Sequence, residues 1–253
     1  MKKNKQDKIL GYALPAITIL CLIVIWWVAA AAIGNGFILP DPVASLNALF
    51  TLMKTGTFYA SLAFTLLRSL IAFILSFTLA TVLAFLSEKH NNAKRVIKPI
   101  IGILRALPTV AVVLLLLLWT NSFIAPMIVT ALVVLPTIFT NAENALESVD
   151  KESVEACVFF GVTQKEIRKK VLIPQIAPQM LLSVGSGLSL NLKLMVAAEV
   201  LSQTAKSLGY LLNTAKVYLE TAQMIAVVLV TVIIGVVIET VFSAAAKKAG
   251  RWQ

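Results

Sequence analysis

The sequence predicts an all-α membrane protein with six transmembrane helices and both termini on the cytoplasmic side. Hydrophobic residues make up 59% of the 253 positions, and the mean hydropathy of +0.90 is too high for a soluble globular domain. A bilayer core about 30 Å thick needs roughly 20 apolar residues per helix. Six segments meet this requirement, at residues 10–33, 62–86, 97–119, 123–140, 175–200 and 222–243. Because they take up most of the chain, we expect a single transmembrane domain over residues 1–253.

The predicted orientation follows from the distribution of positive charge. If the N-terminus is cytoplasmic, sixteen Lys and Arg residues lie in the inner segments, whereas the outer segments hold three, Lys54, Lys206 and Lys216. Cytoplasmic loops of membrane proteins carry such an excess, which places both termini inside. The net charge of +10 is therefore topological, and we expect no nucleic-acid partner. The pattern suits a protein of a bacterial plasma membrane, surrounded by the lipid bilayer.

The first apolar run and the cysteines exclude several other interpretations. The run from Ile9 to Ile33 is longer than the apolar region of a signal peptide, about 7–15 residues, so it predicts an uncleaved helix. Cys21 falls in a span and Cys157 in an inner loop, which argues against a disulfide, and neither has the ligand spacing of a metal site. We expect no metal, no cofactor bound by this chain and no catalytic residue.

A polar inner segment, residues 148–174, predicts a helix–turn–helix on the cytoplasmic side. Asp150 is a candidate cap for the first helix, and Glu152 and Glu155 place negative charge in its first turn, where it complements the helix dipole. Gly161 is positioned to end this helix. Four apolar side chains are available for docking into a partner, and they are Val154, Val158, Phe159 and Phe160.

Thr163 and Glu166 form the pattern of a capping box, which predicts the start of the second helix of this segment. Basic residues follow toward the end of that helix, where their charge again complements the dipole, and we expect Pro174 to end it. The alternative is an amphipathic segment that lies on the lipid surface. A simple connection between two spans would need neither the caps nor the glycine.

The spacing within this segment resembles the cytoplasmic coupling motif of permease subunits in bacterial ABC importers. That motif reads Glu-Ala-Ala, three residues, Gly, nine residues, then Ile-x-Leu-Pro. Here it stands as Glu155-Ala156-Cys157, Gly161 and Val171-Leu172-Ile173-Pro174. Cysteine replaces the second alanine, and valine and isoleucine replace isoleucine and leucine, so the changes are small and the spacing is intact.

Four other stretches are similar to the nitrate, sulfonate and taurine branch of these permeases, at residues 37–42, 104–108, 196–199 and 208–210. The resemblance implies the type I ABC importer permease fold. It also implies a homodimer of six-helix subunits, an external substrate-binding protein and two cytoplasmic ATPase subunits, which would bind the ATP and Mg. The residues implied in coupling to the ATPase are Glu155, Ala156, Cys157, Val158, Phe159, Phe160, Gly161 and Pro174.

The resemblance implies a small solute, anionic or polar, such as a sulfonate, taurine, nitrate or a thiamine-precursor pyrimidine. Where the family commonly has Ala-Trp, this chain has Asn191 and Leu192, followed by Lys193. We expect Asn191, Lys193, Ser189 and Pro108, the helix-breaking proline of the third span, to line the translocation pathway. For Lys193, snorkelling to the outer interface is the alternative.

The chain has no G-x-x-x-x-G-K-[ST] motif, so we expect it to perform no ATP chemistry itself. The alternative function is an ion-coupled secondary transporter or channel subunit that works without ATP, which should bury carboxylates within its spans. Glu199 and Glu239 come closest, and both sit near span ends, where solvation at the interface is the interpretation for Glu239. Arg68, within the first turns of the second span, is likewise expected to snorkel to the interface.

Overall fold

The computed structural model describes residues 5–250, with side chains described for Leu14 and from Ala16 onward, and this part of the chain contains helices and loops but no strand. A chain within lipid must satisfy its backbone hydrogen bonds internally, which favours helices. A π-helical turn, Arg168–Leu172, separates the eighth and ninth α-helices. In chain order the α-helices are α1 (Lys5–Ile33), α2 (Pro42–Met53), α3 (Gly56–Lys89), α4 (Asn91–Ala106), α5 (Thr109–Trp119), α6 (Ala125–Glu147), α7 (Lys151–Phe159), α8 (Gln164–Ile167), α9 (Ile173–Ser202), α10 (Leu208–Val217) and α11 (Thr221–Ala249).

Five helical runs of the described chain are long and apolar enough to span a membrane: those of α1, α3, α6, α8 to α9, and α11. Helices α4 and α5 reach the required length only as a pair, and they are bent by 94° where they meet. Pro108 disfavours helical backbone at the preceding residue, and Leu107 is accordingly extended, with ψ 126°. Counted as one broken span, the pair gives six, which confirms the predicted all-α fold. The kink expected at Pro108 is close to a right angle.

The prediction that Pro174 ends the second helix of the 148–174 segment is wrong. Helix α8 runs through the π-turn directly into α9, so that Gln164–Ser202 is one continuous helical run. Pro174 lies in the first turn of α9, where a missing N–H is tolerated. The amide of Ile173 donates to the carbonyl of Arg168, five residues back. This wider turn accommodates the proline without a break in the helix.

The described backbone groups into two compact units, and the first contains the residues up to 59 together with 211–229. Within it, the indole Nε1 of Trp26 donates to the carbonyl of Pro40 at 3.1 Å. Asp41 caps α2 by accepting from the amide of Ala44 at 2.8 Å, and Pro42 occupies the first turn. These contacts position α2 beside the end of α1.

The second unit contains residues 60–210 and those from 230 onward, and its core lies between α6 and α9. Ile138 and Phe139 of α6 are buried in this core together with Phe73 of α3 and Ile176 of α9. Close helix approach in membranes depends on small residues. A methyl group at Gly185 of α9 would lie only 2.7 Å from Cβ of Phe242 on α11, so glycine sets the distance between these two helices.

We predict that Gly185→Ala destabilises the protein because the added methyl group would collide with Phe242 near its backbone. Overpacking of this kind costs about 1–3 kcal/mol of unfolding free energy. The measurement is the melting temperature of the purified protein in detergent. Gly102→Ala is the matched control, since Gly102 also lies in a helix but has open space around its Cβ position. Equal melting temperatures for the two variants would contradict this account of α9 packing.

Candidate functional site

The 148–174 segment, called here the coupling segment, begins with a well-formed cap. The carboxylate of Asp150 accepts from the amide of Glu152 at 3.1 Å and also from the hydroxyl of Ser153, which starts α7 as predicted. Because these hydrogen bonds, foremost that of Ser153, stabilise the charged carboxylate, the pKa of Asp150 is lower than its usual value. The first turn of α7 is thus anchored by a charged side chain.

The end of α7 is a Schellman motif built on Gly161. The amide of Gly161 donates to the carbonyl of Val158, and the amide of Val162 donates to the carbonyl of Cys157, each at 3.0 Å. Gly161 has φ +74°, a left-handed conformation in which a Cβ atom is strained. The chain therefore reverses sharply at Gly161, as its position in the sequence predicts.

The tip of the coupling segment exposes an aromatic pair. Phe159 is 85% exposed and Phe160 is 79% exposed, and their rings contact each other edge to face with centroids 5.5 Å apart. Val158 beside them is also exposed. The alternative, an amphipathic segment that lies on the lipid surface, does not require two capped helices that hold these rings at a turn. A rigid apolar tip at the end of a polar segment is instead typical of an interaction site.

The other residues predicted to couple to the ATPase lie along the same segment. Glu155 and Ala156 are exposed on α7, Cys157 is half-buried, and Pro174 is exposed at the start of α9. Ala156, Cys157 and Pro174 line a common open cleft of about 1070 Å³ between α7 and the Ile173 end of α9. The amide of Asp150 donates to Oε1 of Gln175 at 2.9 Å, which ties α7 to α9 across this cleft.

The second helix of the coupling segment starts at Thr163, as predicted. Its hydroxyl accepts from the amide of Glu166 at 3.4 Å, and it donates to the Glu166 carboxylate at 3.0 Å. The same carboxylate pairs with Lys170 one turn later at 3.1 Å. The capping pattern is therefore partly formed, because the Glu166 side chain bonds the hydroxyl of Thr163 rather than its backbone amide.

Among the predicted pathway residues, Lys193 forms an ion pair that the sequence did not indicate. Its Nζ lies 3.8 Å from Oε1 of Glu239 on α11, with the side chains 52% and 48% exposed. A methyl group at Gly185 would lie 3.6 Å from Cα of Glu239, so Glu239 lies beside Gly185. Gly185 precedes Lys193 by eight residues, or roughly 12 Å along α9. The Lys193 side chain thus points toward the Ile173 end of α9, and its pathway role stays a prediction.

Glu239 also lines a polar cavity of about 370 Å³. Apart from Leu182, the other lining residues carry hydroxyl or amide groups, and they are Asn141, Gln179, Ser183, Ser186 and Ser243. Asn141 Nδ2 donates to the Ser183 hydroxyl at 3.1 Å. A concave surface lined by hydrogen-bonding groups is unusual on apolar spans and is therefore a candidate site for a polar solute.

The three remaining predicted pathway residues lie elsewhere. Asn191 is buried, and its Nδ2 donates to the carbonyl and hydroxyl oxygens of Ser69 on α3, at 2.7 and 2.8 Å. Ser189 is buried against Gly235 of α11, where its hydroxyl has no hydrogen-bond partner among the described residues. Pro108 is exposed at the bend between α4 and α5. None of the three lines the cavity beside Glu239, and their pathway role stays a prediction.

Sequence reasoning missed a buried charge network between α3 and the end of α9. Arg68 is 2% exposed and Glu199 is 0% exposed, with Nη2 of Arg68 lying 2.8 Å from Oε1 of Glu199. Nε of Arg68 donates to the same oxygen at 2.9 Å, and Nη2 donates to the carbonyl of Lys206 at 3.2 Å. The interpretation of Arg68 as snorkelling to the interface is therefore wrong.

Further contacts extend this network to the loop after α9. Thr65 donates to the carboxylate of Glu199 at 2.9 Å and accepts from the amide of Leu208 at 2.9 Å. The guanidinium of Arg68 lies over the ring of Phe123, 5.2 Å from its centroid. The signal in the sequence was the presence of one positive and one negative residue within apolar spans, since such charges are costly unless they pair.

Comparison with known proteins agrees with this fold. A family model described as "binding-protein-dependent transport system inner membrane component" matches residues 79–251. An ABC transporter permease protein of Methanocaldococcus jannaschii is 27% identical over 94% of this chain and 90% of its own length. The taurine transport system permease protein TauC of Escherichia coli is 23% identical over 93% of this chain and 88% of its own.

Solved structures show the same likeness at the level of the fold. The inward-facing MetNI methionine ABC transporter has a chain that superimposes with a TM-score of 0.65 at 18% identity, covering 76% of this chain and 96% of that one. The likeness in backbone is thus stronger than the likeness in sequence.

We predict that Glu199→Leu lowers the unfolding free energy by about 3–5 kcal/mol, because it leaves the Arg68 guanidinium buried and unpaired. The matched control combines Glu199→Leu with Arg68→Met, which removes both charges and should recover most of the loss. Melting temperatures in detergent measure both effects. A double variant no more stable than the single one would show that the ion pair is not the reason for the loss.

Proposed function

The chain belongs to the family of binding-protein-dependent transport system inner membrane components, and we propose how it works as the permease subunit of an ABC importer. It is a multi-pass membrane protein of the inner membrane and a transport subunit rather than an enzyme. Its ATPase and substrate-binding partners follow from the family. In our proposal the coupling segment docks on a cytoplasmic ATPase subunit, which binds the ATP and Mg, and the polar surface around Lys193 faces the translocation pathway.

The observation that carries the docking proposal is the exposed pair Phe159 and Phe160 at the tip of a capped turn. Burial of one such side chain contributes about 1.5–3 kcal/mol, so two rings seated in a groove would supply a substantial part of an attachment. Helix α7, which leads to this tip, is held by the Asp150 cap at its start and by the Schellman motif at its end. Little ordering entropy is therefore lost on docking.

The continuous helical run Gln164–Ser202 gives the proposal a mechanical element. A loop between the coupling segment and the span would absorb part of any displacement, whereas one helix transmits it. Movement of a docked ATPase would then be carried from Gly161 along α9 to Lys193 and Glu199. In this proposal ATP binding closes the ATPase subunits and α9 changes the access of the pathway.

The proposed assembly contains two copies of this chain, two ATPase subunits and an external substrate-binding protein, with both termini of each copy cytoplasmic. The excess of Lys and Arg in the inner segments supports this orientation. The proposed solute is small and anionic or polar, such as a sulfonate, taurine, nitrate or a pyrimidine. Support comes from Lys193 on an exposed helix face and from the relative named as a taurine permease.

An ion-coupled transporter without ATP finds less support. That alternative needs carboxylates within the spans that can take up and release the coupling ion. In the described structure Glu199 is held by Arg68 and Glu239 pairs with Lys193. Neither carboxylate is without a basic partner.

We predict that Gly161→Val weakens association with the ATPase subunit, because a β-branched residue resists φ +74° and the tip would be redirected. A left-handed residue costs about 1–2 kcal/mol, which corresponds to roughly fivefold to thirtyfold weaker binding. Co-purification with the ATPase and ATP-driven uptake measure the effect. Gly161→Asn is the control, since Asn tolerates this conformation. Unchanged association after Gly161→Val would refute docking through this turn.

We predict that Cys157 reacts with a membrane-impermeant maleimide from the cytoplasmic side. In a Cys21→Ser background, inside-out vesicles without bound ATPase should be labelled and right-side-out vesicles should not. Lys54→Cys in a cysteine-free background is the control for the opposite face and should show the reverse pattern. Labelling of Cys157 from the outside would reverse the proposed topology.

A further inference from the structure

The ion pair between Lys193 and Glu239 presents two opposite charges side by side on an exposed surface of apolar spans. We propose that this pair is a recognition site for a small zwitterion, with the acid group of the solute on Lys193 and its ammonium group on Glu239. The inference rests on the proposed pathway role of Lys193 and narrows the solute class. Glu239 thereby becomes a specificity residue that sequence reasoning did not assign.

The pair is loosely made. The distance between Nζ of Lys193 and Oε1 of Glu239 is 3.8 Å, beyond a hydrogen bond, and about half of each side chain is exposed. An ammonium group has three donors and a carboxylate has about four acceptor positions. Most of this capacity is unused within the described chain, in contrast to the fully enclosed pair of Arg68 and Glu199. Charges that cost free energy in a span, yet are left partly unsatisfied, are typical of solute sites.

Charge balance favours a zwitterion over a simple anion. A lone anion at Lys193 would bring a second negative charge beside the carboxylate of Glu239, and like charges at close range oppose binding. A zwitterion exchanges one ion pair for two and keeps the site neutral. In a low-dielectric surrounding, this neutrality avoids the cost of an uncompensated charge.

The surroundings provide room and further hydrogen bonds. The polar cavity of about 370 Å³ begins at Glu239, and its size lies within the range of about 300–1,000 Å³ for small-molecule sites. Its lining offers the hydroxyl and amide groups of Asn141, Ser183, Ser186 and Ser243.

Gly235 allows Lys193 and Ser189 to pack directly against the backbone of α11. A methyl group at this position would lie 2.9 Å from the Ser189 hydroxyl oxygen and 3.5 Å from Cε of Lys193. The stem of Lys193 therefore lies across the glycine, and the ammonium group is held beyond it toward Glu239. Lys193 is nearer the Ser202 end of α9, and the cavity is nearer the Ile173 end. The acid and ammonium groups of a bound solute would therefore be spaced along the axis of α9.

Taurine and propane-1-sulfonate form a matched pair of probes, because they share a sulfonate and a similar length and differ in a terminal ammonium or methyl group. Binding is measured by displacement of radiolabelled taurine from the permease and its ATPase subunits in nanodiscs. We expect taurine to bind wild type at least about tenfold more tightly, the scale of one charge-assisted hydrogen bond. Equal binding of the two probes would overturn the proposal without any variant.

Glu239→Gln should abolish this preference, because propane-1-sulfonate gains affinity at an unopposed Lys193 while taurine loses its partner. The exchange variant Lys193→Glu with Glu239→Lys retains both charges and should keep the preference for taurine. Glu88→Gln makes the same chemical change at an exposed position of α3 and should leave the ratio unchanged. A preference that survives Glu239→Gln would overturn the inference.

Failure of the inference and failure of the proposed solute class give different results. If the assembled importer takes up sulfonates with ATP but shows no dependence on Glu239, only the zwitterion site is wrong. If the assembled importer hydrolyses ATP yet takes up neither probe, the proposed sulfonate class is wrong and the site falls with it.

Discussion

The ion pair of Arg68 and Glu199 is the contact around which the second unit is arranged. Neither charge is tolerable alone inside an apolar span, so each side chain can occupy its position because the other is there. The pair joins α3 to the end of α9, and its outer hydrogen bonds reach the carbonyl of Lys206 and the amide of Gly209. The chain after α9 is therefore attached to α3 and α9 by hydrogen bonds to charged side chains.

Helix α9 connects this pair to the two surfaces that we propose act in transport. The run Gln164–Ser202 begins within the coupling segment, passes the exposed Lys193 and ends just beyond Glu199. Close packing against α11 at Gly185 and against α6 in the core leaves α9 little freedom to bend. In the proposed mechanism, this packing lets a displacement at one end of α9 reach the other end.

Local features of the coupling segment could be predicted because their physics is local. The Asp150 cap, the Schellman turn at Gly161 and the Thr163 cap each involve hydrogen bonds between residues at most five positions apart. The continuity of the helix through Pro174 could not be predicted. Proline is common both in the first turn of a helix and just after the end of one, so the local sequence does not distinguish the two positions. In the structure the π-turn at Arg168–Leu172 leads directly into α9, so Pro174 lies in a first turn.

The sequence by itself determined the all-α membrane fold and the shape of the coupling turn, because hydrophobic length, backbone hydrogen bonding and capping act within a segment. Only the tertiary structure decided which charges meet. Arg68 and Glu199 are 131 positions apart, and Lys193 faces Glu239 on a different helix. Pairing of this kind depends on the depth and rotation of neighbouring helices, and those are set by packing at residues such as Gly185 and Gly235.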